Sequence, residues 1–314
     1  MIPPLKSVGP NLVYRAVIVS PHLDDAVLSC GGRLARWARE GPVLVVNVFT
    51  DFAGAPRGAP AALGEMRHRE EAAAAAFLGF ASVSLGEKDC VCRSRRYLSP
   101  GRLFGGARLP EDPLDVERLA GRLQRLLADL DWKELVLPLG VGWHVDHVAV
   151  HEATRSFHAG ARTSFYEDLP YADIPSLTAR RLAELGHGAT DGSWRASARD
   201  GRRAAAVVAT WAPIAGLRPG WIRPAARAAT ALFFSRLFHR RQRVGPSRRW
   251  ECRPVDISDT FEMKKQACFL YRSQIRAFFT HEDAWERQAR RVPGNGPGIW
   301  ERVWKLGGPR EGSG

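Results

Sequence analysis

Five short runs of aliphatic and β-branched residues, the first four each followed by a stretch with helical spacing, limit this chain's possible folds more than any other feature. The runs cover residues 14–20, 43–49, 81–85, 134–139 and 163–168. Between the first two, Val27, Leu34 and Trp37 recur at helical spacing, and Gly41 with Pro42 supplies a stop. Residues 65–77 form an alanine-rich helical pattern ending near Gly79, and Val116, Leu119, Leu123, Leu126 and Leu130 mark another helix. A further helix starts near His147. Strands alternating with helices predict an α/β fold, a mostly parallel sheet with helices on both faces.

In an open parallel sheet, ligands bind beyond the carboxyl ends of the strands, so the residues just after each strand are the ones able to meet. Those positions are polar here: His22, Asp24 and Asp25 after the first run, Thr50 and Asp51 after the second, Glu87 and Asp89 after the third, and His144, Asp146 and His147 after the fourth. His22 and Asp25 are three residues apart, as are His144 and His147, so each pair can face one point from a turn entering a helix. Two imidazoles and a carboxylate suit a catalytic zinc ion with a fourth position left for water. Such a site acidifies the water and polarises a carbonyl, and a neighbouring carboxylate can serve as base. A dinucleotide-binding reading fails at the first turn, which holds His, Leu and two Asp where a Gly-rich loop is needed.

The segments PHLDDA at 21–26 and HVDH at 144–147 resemble those of the PIG-L or LmbE-like zinc de-N-acetylases. Weaker matches are Arg67 with Glu70 and Gly79, LGEKD at 85–89, YEDLPYA at 166–172, and K-x-x-A-x-x-x-Y-x-S-Q at 264–274. The resemblance implies a Rossmann-like, LmbE-like fold and a zinc-dependent hydrolase that removes an N-acetyl or N-acyl group from an amino-sugar-containing substrate. It implies that His22, Asp25 and His147 hold Zn2+, with Fe2+ or Co2+ suiting the same donors. Asp24 is then the general base, His144 stabilises the oxyanion and helps protonate the amine, and Asp146 orients His144. Arg67, Asp89 and, with less support, Asp51 become substrate contacts. Leu23 and Ala26 stand where the family's His-Pro-Asp-Asp-Glu turn has Pro and Glu. These departures bear on the substrate, for which a small N-acylated amino sugar, a glycolipid, a thiol-sugar conjugate and an acylated antibiotic intermediate are all candidates. A sugar- or lipid-binding protein without activity is the competing class, and retention of every expected ligand argues against it.

The remaining features organise the chain. Residues 1–175 read as the catalytic core, 176–250 as a basic insertion rich in Arg, Trp and Phe, and 251–314 as a strand and helices, the first helix with an Asp cap, completing the core. The insertion's apolar stretches are too short to cross a bilayer. It reads as a lid over the site or, alternatively, as a segment lying on an anionic membrane surface. The formal charge of +13 selects no substrate, and no nucleic-acid-binding motif accompanies it. Five scattered cysteines argue against a disulfide framework, and the N-terminal stretch lacks a signal-peptide pattern, so the expected location is cytoplasmic, or peripheral to a membrane if the insertion binds one.

Overall fold

Alternate residues of the central strands face opposite sides, and both sides are buried. Val17, Val19, Leu44, Val46, Leu135 and Leu137 join one apolar cluster with Leu119, Leu123 and Leu127, while Ala16, Ile18, Val43, Val45 and Val136 join another with Val27, Leu34 and Trp37. A period of two with no polar face is what a sheet covered on both sides requires.

The computed structural model describes residues 12–55, 62–187, 249–279, 281–292 and 294–307. In chain order the elements are β1 (Val13–Tyr14), β2 (Ala16–Ser20), α1 (Asp25–Glu40), β3 (Val43–Asp51), α2 (Leu63–Leu78), β4 (Ala81–Lys88), α3 (Cys90–Arg93), α4 (Pro100–Leu103) and α5 (Val116–Ala128). Then follow β5 (Asp131–Trp132), β6 (Leu135–Pro138), α6 (Val145–Ala153), β7 (Thr163–Tyr166) and α7 (Pro175–Glu184). The last group is β8 (Trp250–Asp256), α8 (Phe261–Leu270), α9 (Arg272–Phe278), α10 (Glu282–Ala289) and β9 (Trp300–Leu306).

Seven strands form one sheet in the order β4-β3-β2-β6-β7-β9-β8. The first five are parallel, and β9 and β8 add an antiparallel edge. The α5 and α6 side chains pack with one sheet face, and those of α1, α2 and α8 with the other. The chain therefore lays β3 and β4 on one side of β2, then β6 and β7 on its other side. That reversal makes the β2/β6 boundary a topological switch point, where a crevice opens at the strand ends.

Three expectations need correction. The run 14–20 is two strands, because Arg15 leaves the ladder and donates its N–H to Pro42 O at 2.7 Å, and Val13–Tyr14 pairs separately with β5. The C-terminal helix α8 has Thr260, not an Asp, at its cap, while Asp256 accepts the Ser258 N–H at 2.9 Å in the preceding turn. The first residues assigned to the insertion belong to the core, since Leu177 and Leu182 of α7 are buried with it. The rest of that segment, 188–248, lies outside the described residues, and with it the lid and membrane-surface readings. Among the described residues no helix is long and apolar enough to cross a membrane.

Candidate metal centre

The two histidine motifs leave adjacent strands at the switch point, and local hydrogen bonds turn each of them inward. After β2, Ser20 Oγ donates to His22 O at 2.7 Å and accepts the Ala26 N–H at 3.2 Å, which winds residues 20–26 into a tight turn. The Asp25 carboxylate accepts the His22 backbone N–H at 2.9 Å. From the C-terminal segment, the Gln274 side-chain amide donates to Leu23 O at 2.6 Å and braces the same turn. After β6, Gly140 and Val141 donate their N–H groups to Asp168 Oδ2 at 2.7 and 2.8 Å. Trp143 then takes a positive φ of 54°, rare for a bulky residue, and His144 caps α6.

Three donor atoms converge. Asp25 Oδ2 lies 3.1 Å from His22 Nδ1 and 3.3 Å from His147 Nε2. Ligands about 2.0–2.1 Å from a tetrahedral metal are separated from one another by about 3.3 Å, so these spacings match a shared coordination sphere. Each imidazole also uses its other nitrogen: His22 Nε2 is 3.2 Å from Asp146 Oδ2, and His147 Nδ1 is 2.7 Å from Asp168 Oδ1. A carboxylate behind each ring is the arrangement that fixes the tautomer of a metal-ligating histidine.

The electrostatics agree. Burial alone would depress the His22 and His147 pKa values, yet hydrogen bonding and charge from Asp146 and Asp25 pull His22 well up, and Asp25 and Asp168 pull His147 up. Burial opposes ionisation of Asp25, but the two histidines hold it below the usual carboxylate range. The pocket thus seeks positive charge at the point where the donors meet, and a divalent ion supplies it while displacing protons. The donor set fits a metal ion.

Asp24 faces the same space, and burial, reinforced by the adjacent Asp25, pushes its carboxyl up to about 7. Burial and the neighbouring His147 and His22 push His144 well down, so it stays neutral. Its Nδ1 accepts the Asp146 backbone N–H at 3.3 Å, which leaves the proton on Nε2.

Two further clusters have donor atoms within 4.8 Å of one another, Cys90 with His144 and Asp146, and His22 with Asp89 and Asp146. Both need Asp146, whose oxygens are already committed: Oδ1 accepts from Arg93 at 2.7 Å, and Oδ2 from the Cys90 N–H at 3.0 Å while meeting His22. The ring nitrogens of His22, His144 and His147 also lie within 4.8 Å. Asp25 is the better third ligand, because it is ionised and touches both other donors.

A cavity of about 230 Å³ opens over these groups, lined by His22, Asp24, Asp25, His144 and His147 together with Arg67 and Asp89. Asp51 does not line it; its Oδ1 accepts the Ala53 N–H at 2.8 Å and caps a turn. Glu87 turns away to pair with Arg118 and Arg122 of α5. The Asp146 side chain reaches His22 and Arg93, and it meets His144 only through its backbone N–H, a difference from the orienting contact expected. His151 is a packing residue bonded to Pro138 O at 2.9 Å. Site residues missed from the sequence are Asp168, which the strand-end rule would have reached at the end of β7, and Arg93, for which no spacing signal exists; Gln274 closes the match at 264–274, which gave it no role.

Known proteins resemble this chain in sequence and in fold. Residues 17–158 match the family model described as PIG-L, GlcNAc-PI de-N-acetylase. A 2'-N-acetylparomamine deacetylase from Streptomyces fradiae is 34% identical over 170 residues, covering 50% of this chain and 58% of that protein. Among solved structures, a deacetylase of the teicoplanin biosynthesis pathway superposes with a TM-score of 0.58 at 20% identity over 95% of this chain and 100% of that one. The A40926 pseudoaglycone deacetylase gives 0.56 at 19% identity over 93% and 97%. Residues 17–158, which carry both histidine motifs and the switch point between them, therefore constitute a PIG-L/LmbE-like domain.

Proposed function

We propose that the protein is a zinc-dependent hydrolase that removes an N-acetyl group from an amino-sugar-containing small molecule, releasing acetate and a free amine. The observation that carries this reading is the convergence of His22 Nδ1, Asp25 Oδ2 and His147 Nε2 beside Asp24. Zn2+ suits two imidazoles and a carboxylate, and Fe2+ or Co2+ suits them too. Bound there, the ion supplies Lewis acidity, acidifying a water and polarising the amide carbonyl.

The chain's own groups do the rest. Asp24, with its raised proton affinity, takes a proton from the attacking water. His144 presents Nε2–H to the oxygen that gains negative charge as the carbonyl carbon becomes tetrahedral. When the C–N bond breaks, a proton returns to the leaving nitrogen, from Asp24 directly or by way of His144. Arg67, which lines the cavity and lies 4.7 Å from the Phe52 ring centroid, and Asp89 contact the sugar hydroxyls. One relative is named for 2'-N-acetylparomamine and one structural neighbour for the pseudoaglycone of the antimicrobial A40926, which favours an acylated antibiotic intermediate over a glycolipid as the substrate.

The test is release of primary amine from a panel of N-acetylated aminoglycosides, N-acetylglucosamine conjugates and N-acetyl peptides by the zinc-loaded protein. Amine release from the sugar substrates and not from the peptides is expected. Absence of release from every sugar substrate by protein that has taken up metal contradicts the reading.

A further inference from the structure

The side chain of Arg93, at the end of α3, is buried, with 3% of it exposed, and each guanidinium nitrogen has a partner. Nε and Nη2 reach the two Asp112 oxygens at 2.8 and 3.1 Å, Nη1 donates to Lys88 O at 2.7 Å, and Nη2 donates to Asp146 Oδ1 at 2.7 Å. The guanidinium also lies 5.1 Å from the Phe49 ring centroid. Asp112 is fixed in turn by the Tyr97 hydroxyl at 2.5 Å and the Leu114 N–H at 3.0 Å. Burying a guanidinium between two carboxylates is costly unless the geometry is well satisfied, as it is here.

The far end of this chain of contacts is the candidate ligand His22. For His22 to offer Nδ1 to a metal, its proton must sit on Nε2, and Nε2 faces Asp146 Oδ2. Asp146 holds that proton in place only while it keeps Oδ2 toward the ring, where the Cys90 N–H also reaches it at 3.0 Å. Arg93, reaching in from a segment outside both histidine motifs, anchors the other oxygen, Oδ1, at 2.7 Å. We infer that Arg93 is a positioning residue for the metal centre, setting the tautomer and orientation of His22 through Asp146. The inference rests on the metal reading above.

The effect runs through Asp146 alone, which separates it from a merely structural role in anchoring the loop of Tyr97 and Asp112. The experiment is zinc affinity of the full chain by competition with a chromogenic chelator, for wild type, Arg93→Met, Asp146→Asn and the double variant. A loss of roughly 10- to 100-fold is expected for Arg93→Met and for Asp146→Asn. The double variant should bind zinc no more weakly than Asp146→Asn alone, because the pathway is already cut. Arg93→Lys, which keeps the charge without the forked reach, gives an intermediate loss and serves if Arg93→Met does not fold. Wild-type affinity in folded Arg93→Met or Arg93→Lys overturns the inference, as does multiplication of the two single losses. A wild-type protein that takes no zinc removes the metal reading itself and this inference with it.

Discussion

The two imidazoles that meet at Asp25 are held by different means. The carboxylate behind His22 is Asp146, which takes one backbone N–H, that of Cys90, but whose other oxygen is held by a side chain, Arg93, itself tied to Asp112. The carboxylate behind His147 is Asp168, whose second oxygen takes two backbone N–H groups, those of Gly140 and Val141. One arm therefore depends on which side chains are present. The other depends on the path of the backbone between β6 and α6. Equal geometry at the metal position conceals unequal sensitivity to substitution.

Breaking either arm at its ring gives the largest effect. His22→Ala and His147→Ala are both expected to purify without bound metal, measured by elemental analysis, because two remaining donors hold a divalent ion poorly. Asp24→Asn, which touches neither arm, separates binding from chemistry: metal content stays at the wild-type level while kcat falls by about 10²–10⁴-fold, the range for loss of a general base. Wild-type turnover in Asp24→Asn removes the assignment of the base.

Asp168→Asn tests the second arm one step back, with zinc affinity expected to fall by roughly 10–100-fold. Equal affinity in this variant and wild type would mean that His147 needs no orienting carboxylate. Gly142→Ala probes the backbone dependence. Gly142 has φ of +86°, and an added Cβ would approach Tyr171 Cβ to 2.6 Å. The expected cost is about 1–3 kcal/mol of stability, read from the denaturant midpoint, with activity falling alongside. The smallest effect is expected at Asp51→Asn, which only rearranges a turn cap and should leave kcat/KM within about twofold, since surface changes of this kind are nearly neutral.

The same contrast explains what was legible in the sequence. The fold was readable because strands with both faces buried leave uninterrupted apolar runs, and the paired histidines were readable because each pair sits at a strand end with a spacing of three. The strand-end rule gives proximity but not direction, so it also pointed to Asp51 and Glu87, whose carboxylates face a turn and α5 instead. Applied to the fifth run it would have reached Asp168, but no second residue of metal-ligand type follows there at the spacing that marks the histidine pairs. Arg93 carries no signal at all: it is one of 46 Lys and Arg residues, and only the fold brings it from α3 to Asp146. The break at Arg15 escaped for a related reason, because it is decided by Pro42, distant in sequence, whereas the Thr260 cap follows from a local turn in which Asp256 accepts the Ser258 N–H.

The central claim, one divalent ion shared by the turn after β2 and the turn after β6, is tested most directly by an anomalous diffraction map at the zinc edge from crystals of the zinc-loaded protein. The account predicts a single strong peak at bonding distance from His22 Nδ1, Asp25 Oδ2 and His147 Nε2. A map without a peak there, or with the ion bound to Cys90 and Asp146 instead, would contradict it.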